Sequence, residues 1–236
     1  MLLVDLELLC GNKEDAIKLS ETMNKIGKLV GKETVCVLTN MDEPLGKSVG
    51  NNLEVIEAIK ALKGEIEEDV KAVVLELGSY MIKLAGLGED INENKQKILE
   101  NIQNGKAYNK FKELVKNQGG DISYLEDINK FEKAKFIIPV ISDKDGYIEK
   151  INAREIGEIS GFLGAGRVRK EDNIDESVGI VLCKKVSNQV KVGDILCYVH
   201  ANNENLGKEA VIKLKETYKI SSEQIEEPKA IIDIVK

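Results

Sequence analysis

The sequence has one histidine, His200, and its four cysteines, Cys10, Cys36, Cys183 and Cys197, include no Cys-x-x-Cys pair. So few ligands exclude a typical zinc cluster. Cys36, Cys183 and Cys197 lie in apolar, strand-like runs. This predicts buried free thiols in a reducing, cytoplasmic setting, not disulfides. His200 ends a strand-like run and reads as a structural or surface residue. Positive charge is also short. Lys and Arg number 34 against 41 Asp and Glu, a net charge of −7 at pH 7, which argues against a nucleic-acid binder held by phosphate contacts. The lysine-rich stretch 106–116 carries Glu113 among its lysines and reads as a solvated helix face. No apolar run approaches the roughly 20 residues of a membrane span. The opening Met1–Cys10 is acidic and lacks the basic lead of a signal peptide.

Of the 236 residues, 42% are hydrophobic and 32% charged, which supports a packed core in one large domain or two small ones. Leu2–Leu6 predicts a short strand. Asn12 suits a helix cap, Leu19, Met23, Ile26 and Val30 follow at helical spacing, and Gly31 is a stop. Thr34–Leu38 is a β-branched run, so the chain opens strand–helix–strand, the mark of a parallel α/β layer. Helices are expected from Leu53 to Gly64, Glu67 to Leu84, Asn94 to Gln103 and Lys106 to Asn117. The character then shifts. Phe136–Ile141 and Tyr147–Ile151 flank Asp145-Gly146, a hairpin signal. A helix from Arg154 to Leu163, strands Val178–Cys183 and Ile195–Val199 joined by Val192-Gly-Asp194, a helix Lys208–Tyr218 and a strand Ala230–Val235 complete the pattern. The fold class is α/β. Residues 1–128 form a partial parallel α/β layer with helices, and residues 129–236 an α+β domain.

Between the strand ending at Thr39 and the helix beginning near Leu53 lies Met41-Asp-Glu-Pro-Leu-Gly-Lys-Ser-Val-Gly50. Two readings of it stand side by side. In the first, Pro44 ends the strand, Gly46 and Gly50 permit turns, Ser48 or Asn51 caps the helix, and Glu54 and Glu57 are exposed. In the second, the bend turns the carbonyls of Leu45 and Ser48 toward one point and Glu57 faces back to it. Carbonyls with one carboxylate suit a hard, monovalent cation.

Thr39-Asn-Met-Asp-Glu-Pro-Leu-Gly-x-x-Val-Gly-Asn-x-Leu-Glu-Val-x-Glu-Ala58 closely resembles a hallmark segment of the pyrimidine-nucleoside phosphorylases, relatives of thymidine phosphorylase. The likeness continues through Leu77-Gly-Ser-x-Met81, Gln118-Gly-Gly-Asp121, Asp145-Gly-Tyr, Leu163-Gly-Ala-Gly-Arg167, Ser177-Val-Gly-Ile-Val-Leu182, Lys191-Val-Gly-Asp194 and Ala201-Asn202. It implies a transferase in nucleotide salvage, a cytoplasmic homodimer using phosphate to split pyrimidine nucleosides into free base and pentose 1-phosphate. It also implies a potassium ion in the intact enzyme, held between a small and a large domain by the carbonyls of Leu45 and Ser48 and the carboxylate of Glu57. Remaining ligands would come from a phosphate-binding loop. The carboxy-terminal sheet is expected to be β-sandwich-like, resembling biotinyl domains.

The family's Lys-His-Ser-Thr-Gly-Gly phosphate loop and base-contacting Arg, Ser and Lys are not in this sequence, and Asp5–Gly11 replaces a longer glycine-rich loop. The chain resembles the carboxy-terminal part of such an enzyme. It contains none of the family's catalytic residues and is expected to have no phosphorolytic activity alone and to bind potassium weakly. A rival reading is a biotinyl- or lipoyl-like carrier or interaction module, whose modified lysine would sit on a tight hairpin; Lys144 lies at the wrong end of its strand pair. Gly164-Ala-Gly-Arg-Val-Arg169 reads either as an anion loop or as a tight helix-to-strand turn with solvated arginines, with Arg167 an alternative anchor between domains.

Overall fold

The computed structural model describes residues 2–5, 13–167, 170–171 and 173–236, of residues 2–5 the backbone alone. The cap expected at Asn12 and the thiol of Cys10 lie outside them. The elements are β1 (Leu2–Asp5), α1 (Lys13–Leu29), β2 (Cys36–Thr39), β3 (Ser48–Val49), α2 (Asn51–Leu62), α3 (Glu68–Leu84), α4 (Ile91–Gln103), α5 (Lys106–Asn117), α6 (Ser123–Glu126), β4 (Phe136–Ile141), β5 (Gly146–Ile151), α7 (Ala153–Ser160), β6 (Gly179–Leu182), β7 (Gln189–Val190), β8 (Ile195–Ala201), α8 (Glu204–Thr217), β9 (Tyr218–Ser221) and β10 (Ile231–Val235). Helices and sheets mix as an α/β chain requires. No helix among the described residues is long and apolar enough to cross a membrane. The chain forms two compact units, each drawn from separate stretches.

The first unit takes Met1–Met41, Leu62–Tyr108 and Lys229–Lys236. Its sheet is ordered β1-β2-β10. β1 runs parallel to β2, Leu3 opposite Val37, and β10 runs antiparallel, Ile234 opposite Val37. Cys36 and Leu38 pack with Ala16 of α1, whereas Val35 and Val37 pack with Tyr80 of α3. A strand covered on both faces reads as a continuous apolar run, which explains why Thr34–Leu38 does not alternate. Burying each of its larger side chains contributes about 1.5–3 kcal/mol.

α1 departs from expectation. Its buried stripe is Ala16, Ser20, Asn24 and Gly27. Leu19 and Met23 are only partly buried, and Ile26 and Val30 are 49% and 65% exposed. Close packing sets the rotation: a Cβ on Gly27 would lie 2.1 Å from Thr34 Oγ1, so small residues face the sheet and larger ones turn aside. α4 begins at Ile91, three residues before the expected Asn94, because the Asp90 carboxylate accepts the Glu93 N–H at 2.9 Å and caps the helix there.

The second unit takes Asp42–Ala61 and Asn109–Pro228. It holds two antiparallel sheets, ordered β3-β6-β8-β4 and β7-β5-β9. Val140, Ile148, Ile156, Ile180, Cys197 and Leu214 are fully buried in its core. Asp145-Gly146 does not close a hairpin, since β4 pairs with β8 while β5 pairs with β7 and β9. The Asp145 carboxylate instead accepts the Val192 N–H at 2.7 Å, and Gly146 lies opposite Val190. The turn therefore hands the chain from one sheet to the other. Cys36 and Cys197 are buried free thiols as expected, but Cys183, one residue beyond β6, is exposed.

Candidate functional site

The segment 42–50 opens the second unit and is fixed at both ends by side chains. Glu57, two turns into α2, is half-buried and reaches back to the loop. Its Oε1 accepts the Lys47 N–H at 2.8 Å and its Oε2 the Ser48 N–H at 3.0 Å. Hydrogen bonds to a charged acceptor are each worth about 1.5–3 kcal/mol, so this one carboxylate holds two successive peptides. Gly46 makes the approach possible. Its φ is +70° and a Cβ there would lie 2.9 Å from Glu57 Oε1. A side chain would be strained by the backbone and would meet the carboxylate.

The start of α2 is closed by Glu54. Its Oε1 accepts the Gly50 N–H at 2.9 Å, while the Gly50 carbonyl accepts the Glu54 N–H at 2.9 Å. This reciprocal pair does the work expected of Ser48 or Asn51. Ser48 lies in β3, and the Asn51 amide donates to the Ala165 carbonyl at 2.9 Å. Glu54 is exposed, as the turn reading expected, though it closes the helix start, whereas Glu57 is half-buried and engaged by the loop.

Strands from late in the chain hold the other side of the loop. Ser48 and Val49 pair with Val181 and Ile180, and the Leu182 N–H donates to the Lys47 carbonyl at 2.7 Å. The backbones cross closely, a Cβ on Gly50 falling 2.5 Å from the Val178 carbonyl. The Lys185 Nζ lies 2.5 Å from the Pro44 carbonyl and 3.0 Å from that of Gly46. Glu43 Oε1 is 3.6 Å from the same ammonium, and its Oε2 accepts the Val186 N–H at 2.8 Å. Lys185 and Glu43 are 16% and 15% exposed. Neither was singled out by the sequence, because they meet the loop from 139 to 143 residues away or are themselves met there. No local pattern announces such a contact.

Of the three expected ligand residues, Glu57 therefore stands at the loop that carries Leu45 and Ser48. The bonds it makes are to N–H groups of Lys47 and Ser48. Among the described residues, no group of three or more His, Cys, Asp or Glu side chains is placed to hold a metal ion. Any cation here would depend largely on backbone oxygens.

Other singled-out residues lie apart from this constellation. Arg167 is exposed, in keeping with a turn carrying solvated charge. The turn is pinned by the Asp175 N–H on the Gly164 carbonyl at 2.9 Å. The Asp175 carboxylate accepts from Asn202 Nδ2 and Ser177 Oγ, both at 2.7 Å. Burial pushes its carboxyl up, and these hydrogen bonds outweigh it, holding the group below its ordinary range. His200 is partly buried in β8, and burial lowers its pKa. Lys144 is exposed; the strands beside it belong to different sheets, so no tight hairpin presents it as a carrier would need. In the first unit, a cavity of about 470 Å³ is lined by Lys28, Thr34, Tyr80, Lys83 and Lys236 among others. It lies at the amino end of β2, whereas α/β layers gather ligands at the carboxyl ends of their strands.

Comparison with known proteins covers most of the chain. Residues 147–221 match the family model "Pyrimidine nucleoside phosphorylase C-terminal domain", and residues 8–108 match "Glycosyl transferase family, a/b domain". The pyrimidine-nucleoside phosphorylase of Bacillus subtilis (strain 168) is 44% identical over 211 residues, 89% of this chain and 48% of that protein. That of Staphylococcus epidermidis (strain ATCC 12228 / FDA PCI 1200) is 44% identical over 193 residues, 82% of this chain and 45% of that protein. That of Staphylococcus haemolyticus is 42% identical over 210 residues, 89% and 48%. The chain spans about half the length of the curated relatives it matches.

Proposed function

The chain belongs to the pyrimidine-nucleoside phosphorylase family, and we propose from that premise that it supplies part of an enzyme transferring a pentosyl group from a pyrimidine nucleoside to phosphate. The products are the free base and a pentose 1-phosphate. Phosphate attacks C1′ as the bond to the base breaks, so the transition state carries oxocarbenium character. The protein must hold phosphate beneath the sugar and stabilise charge on the departing base. The Lys-x-Ser-x-Gly-Gly loop that does the first in the family is not in this sequence. This chain alone is therefore inactive, and its role is to carry the 42–50 loop and the strands that brace it.

The single observation that carries this reading is the turn of Glu57 onto that loop, at 2.8 and 3.0 Å. The arrangement fits a potassium ion in the intact enzyme, with the carbonyls of Leu45 and Ser48 and the carboxylate of Glu57 as its ligands from this chain. One carboxylate among neutral oxygens suits a single positive charge. When bound, the ion would supply a fixed positive charge beside this loop. Glu57, held by two N–H groups, keeps further lone pairs on both oxygens.

The finer family features belong to the same reading: nucleotide salvage as the setting, a homodimer, a cytoplasmic location favoured by the free thiols of Cys36, Cys183 and Cys197, and a β-sandwich-like carboxy-terminal domain for which the two small antiparallel sheets speak. Incubation with uridine or thymidine and phosphate tests the proposal. No turnover is expected from this chain alone. Turnover is expected when an amino-terminal half bearing Lys-x-Ser-x-Gly-Gly is added in trans. Enzyme-like turnover by this chain alone would overturn the division of labour.

A further inference from the structure

The loop contains a second cation seat, and the chain fills it itself. We propose that the carbonyls of Pro44 and Gly46, with the carboxylate of Glu43, form a site for a monovalent cation in which the Lys185 ammonium is the resident ion. An ammonium has three N–H donors and no acceptor. Here it faces three oxygens, at 2.5 Å from Pro44, 3.0 Å from Gly46 and 3.6 Å from Glu43. Both charged side chains are more than four-fifths buried, so neither charge is tolerable without the other.

The seat is built rather than adventitious. Glu43 is held at its far oxygen by the Val186 N–H at 2.8 Å, which leaves Oε1 turned to the ammonium. The two carbonyls flank Leu45. Gly46 is the residue whose φ of +70° lets the chain bend there, and the adjoining Lys47 carbonyl is fixed by the Leu182 N–H at 2.7 Å. Lys185 and Val186 follow β6 and thus arrive with the strand that pairs with β3. Among the described contacts, two neutral oxygens and one carboxylate carry a single negative charge, which matches an ammonium or potassium ion and undercharges a divalent one. One consequence rests on the potassium reading given above: by gripping the carbonyls of Pro44 and Gly46, the residues on either side of Leu45, Lys185 would be a positioning residue for the Leu45 carbonyl ligand. The seat itself does not rest on it.

The test is chemical rescue in the chain as it stands. Wild type and Lys185→Met are melted in equal concentrations of choline, lithium, potassium and ammonium chloride. In choline the variant is expected to melt roughly 5 °C below wild type. Ammonium and potassium are expected to recover most of the loss, and lithium, too small for the seat, little of it. Wild type sets the baseline in each salt. Subtracting it removes any potassium response from Leu45, Ser48 and Glu57, expected to be weak in this chain alone, so only the variant's excess response bears on this seat. If Lys185→Met does not fold in choline, its refolding yield from denaturant in ammonium against choline gives the same comparison. A variant no less stable than wild type in choline would overturn the proposal. So would a deficit that ammonium and potassium repair no better than choline or lithium.

Discussion

The Oε2 of Glu57 lies 3.0 Å from the backbone nitrogen of Ser48, nine residues earlier in the chain. The contact joins the second turn of a helix to the strand residue that precedes it, with a glycine-bearing bend between. It makes the acid a structural clamp on the loop before any ligand is considered. It also accounts for the residue types around it. Gly46 makes room for the carboxylate, Glu54 closes the helix start, and Glu57 bridges the successive N–H groups of Lys47 and Ser48.

Gly46→Ala tests the clamp from the backbone side. The substitution places a Cβ at φ +70° and 2.9 Å from Glu57 Oε1. A loss of about 1–3 kcal/mol in urea unfolding is expected. In a Glu57→Ala background the collision disappears and only the backbone strain remains. The two changes should therefore couple by at least about 0.5 kcal/mol. Strict additivity would mean that the acid does not press on Gly46 in solution.

Asp175 makes stability depend on acid. Burial opposes its ionisation, yet hydrogen bonds from Asn202 and Ser177 win and lower its pKa in the folded chain. A depressed carboxyl contributes stability above its unfolded pKa and loses it as pH falls through the folded value. Asp175→Asn should thus lower the urea midpoint near neutral pH, and the gap to wild type should close below the ordinary carboxylate range. The group is only partly buried, so the effect is expected to be small. A gap that persists unchanged into strong acid would contradict the assignment.

Local signals carried much of the fold and little of the site. The spans of α2, α3 and α5 follow from apolar spacing and stop residues, and the strand–helix–strand opening follows from β-branched runs. What failed was non-local. Asp145-Gly146 has turn chemistry, but a turn does not choose the partners of its flanking strands, and β8 and β9 took them. β9 itself, only four residues directly after α8, was hidden by the helix before it. The rotation of α1 was set by how closely Gly27 meets Thr34, which apolar periodicity cannot register. Spacing left Glu57 open between cation ligand and surface acid, family likeness pointed to the ligand, and neither foresaw its bonds to the Lys47 and Ser48 N–H groups. Lys185 had neither kind of signal, and Glu43, though inside the family-like segment, was given no role, because their chemistry exists only when chain segments some 140 residues apart are brought together.

Amide hydrogen exchange at Lys47 and Ser48, followed by NMR in wild type and Glu57→Ala, tests the clamped loop most directly. Both amides should be protected in wild type. The variant should exchange at least about tenfold faster at those two positions, while Val37 and Leu38 in β2 keep their rates. Equal rates at Lys47 and Ser48 in the two proteins would show that Glu57 does not hold the loop, and the cation reading built on it would fall as well.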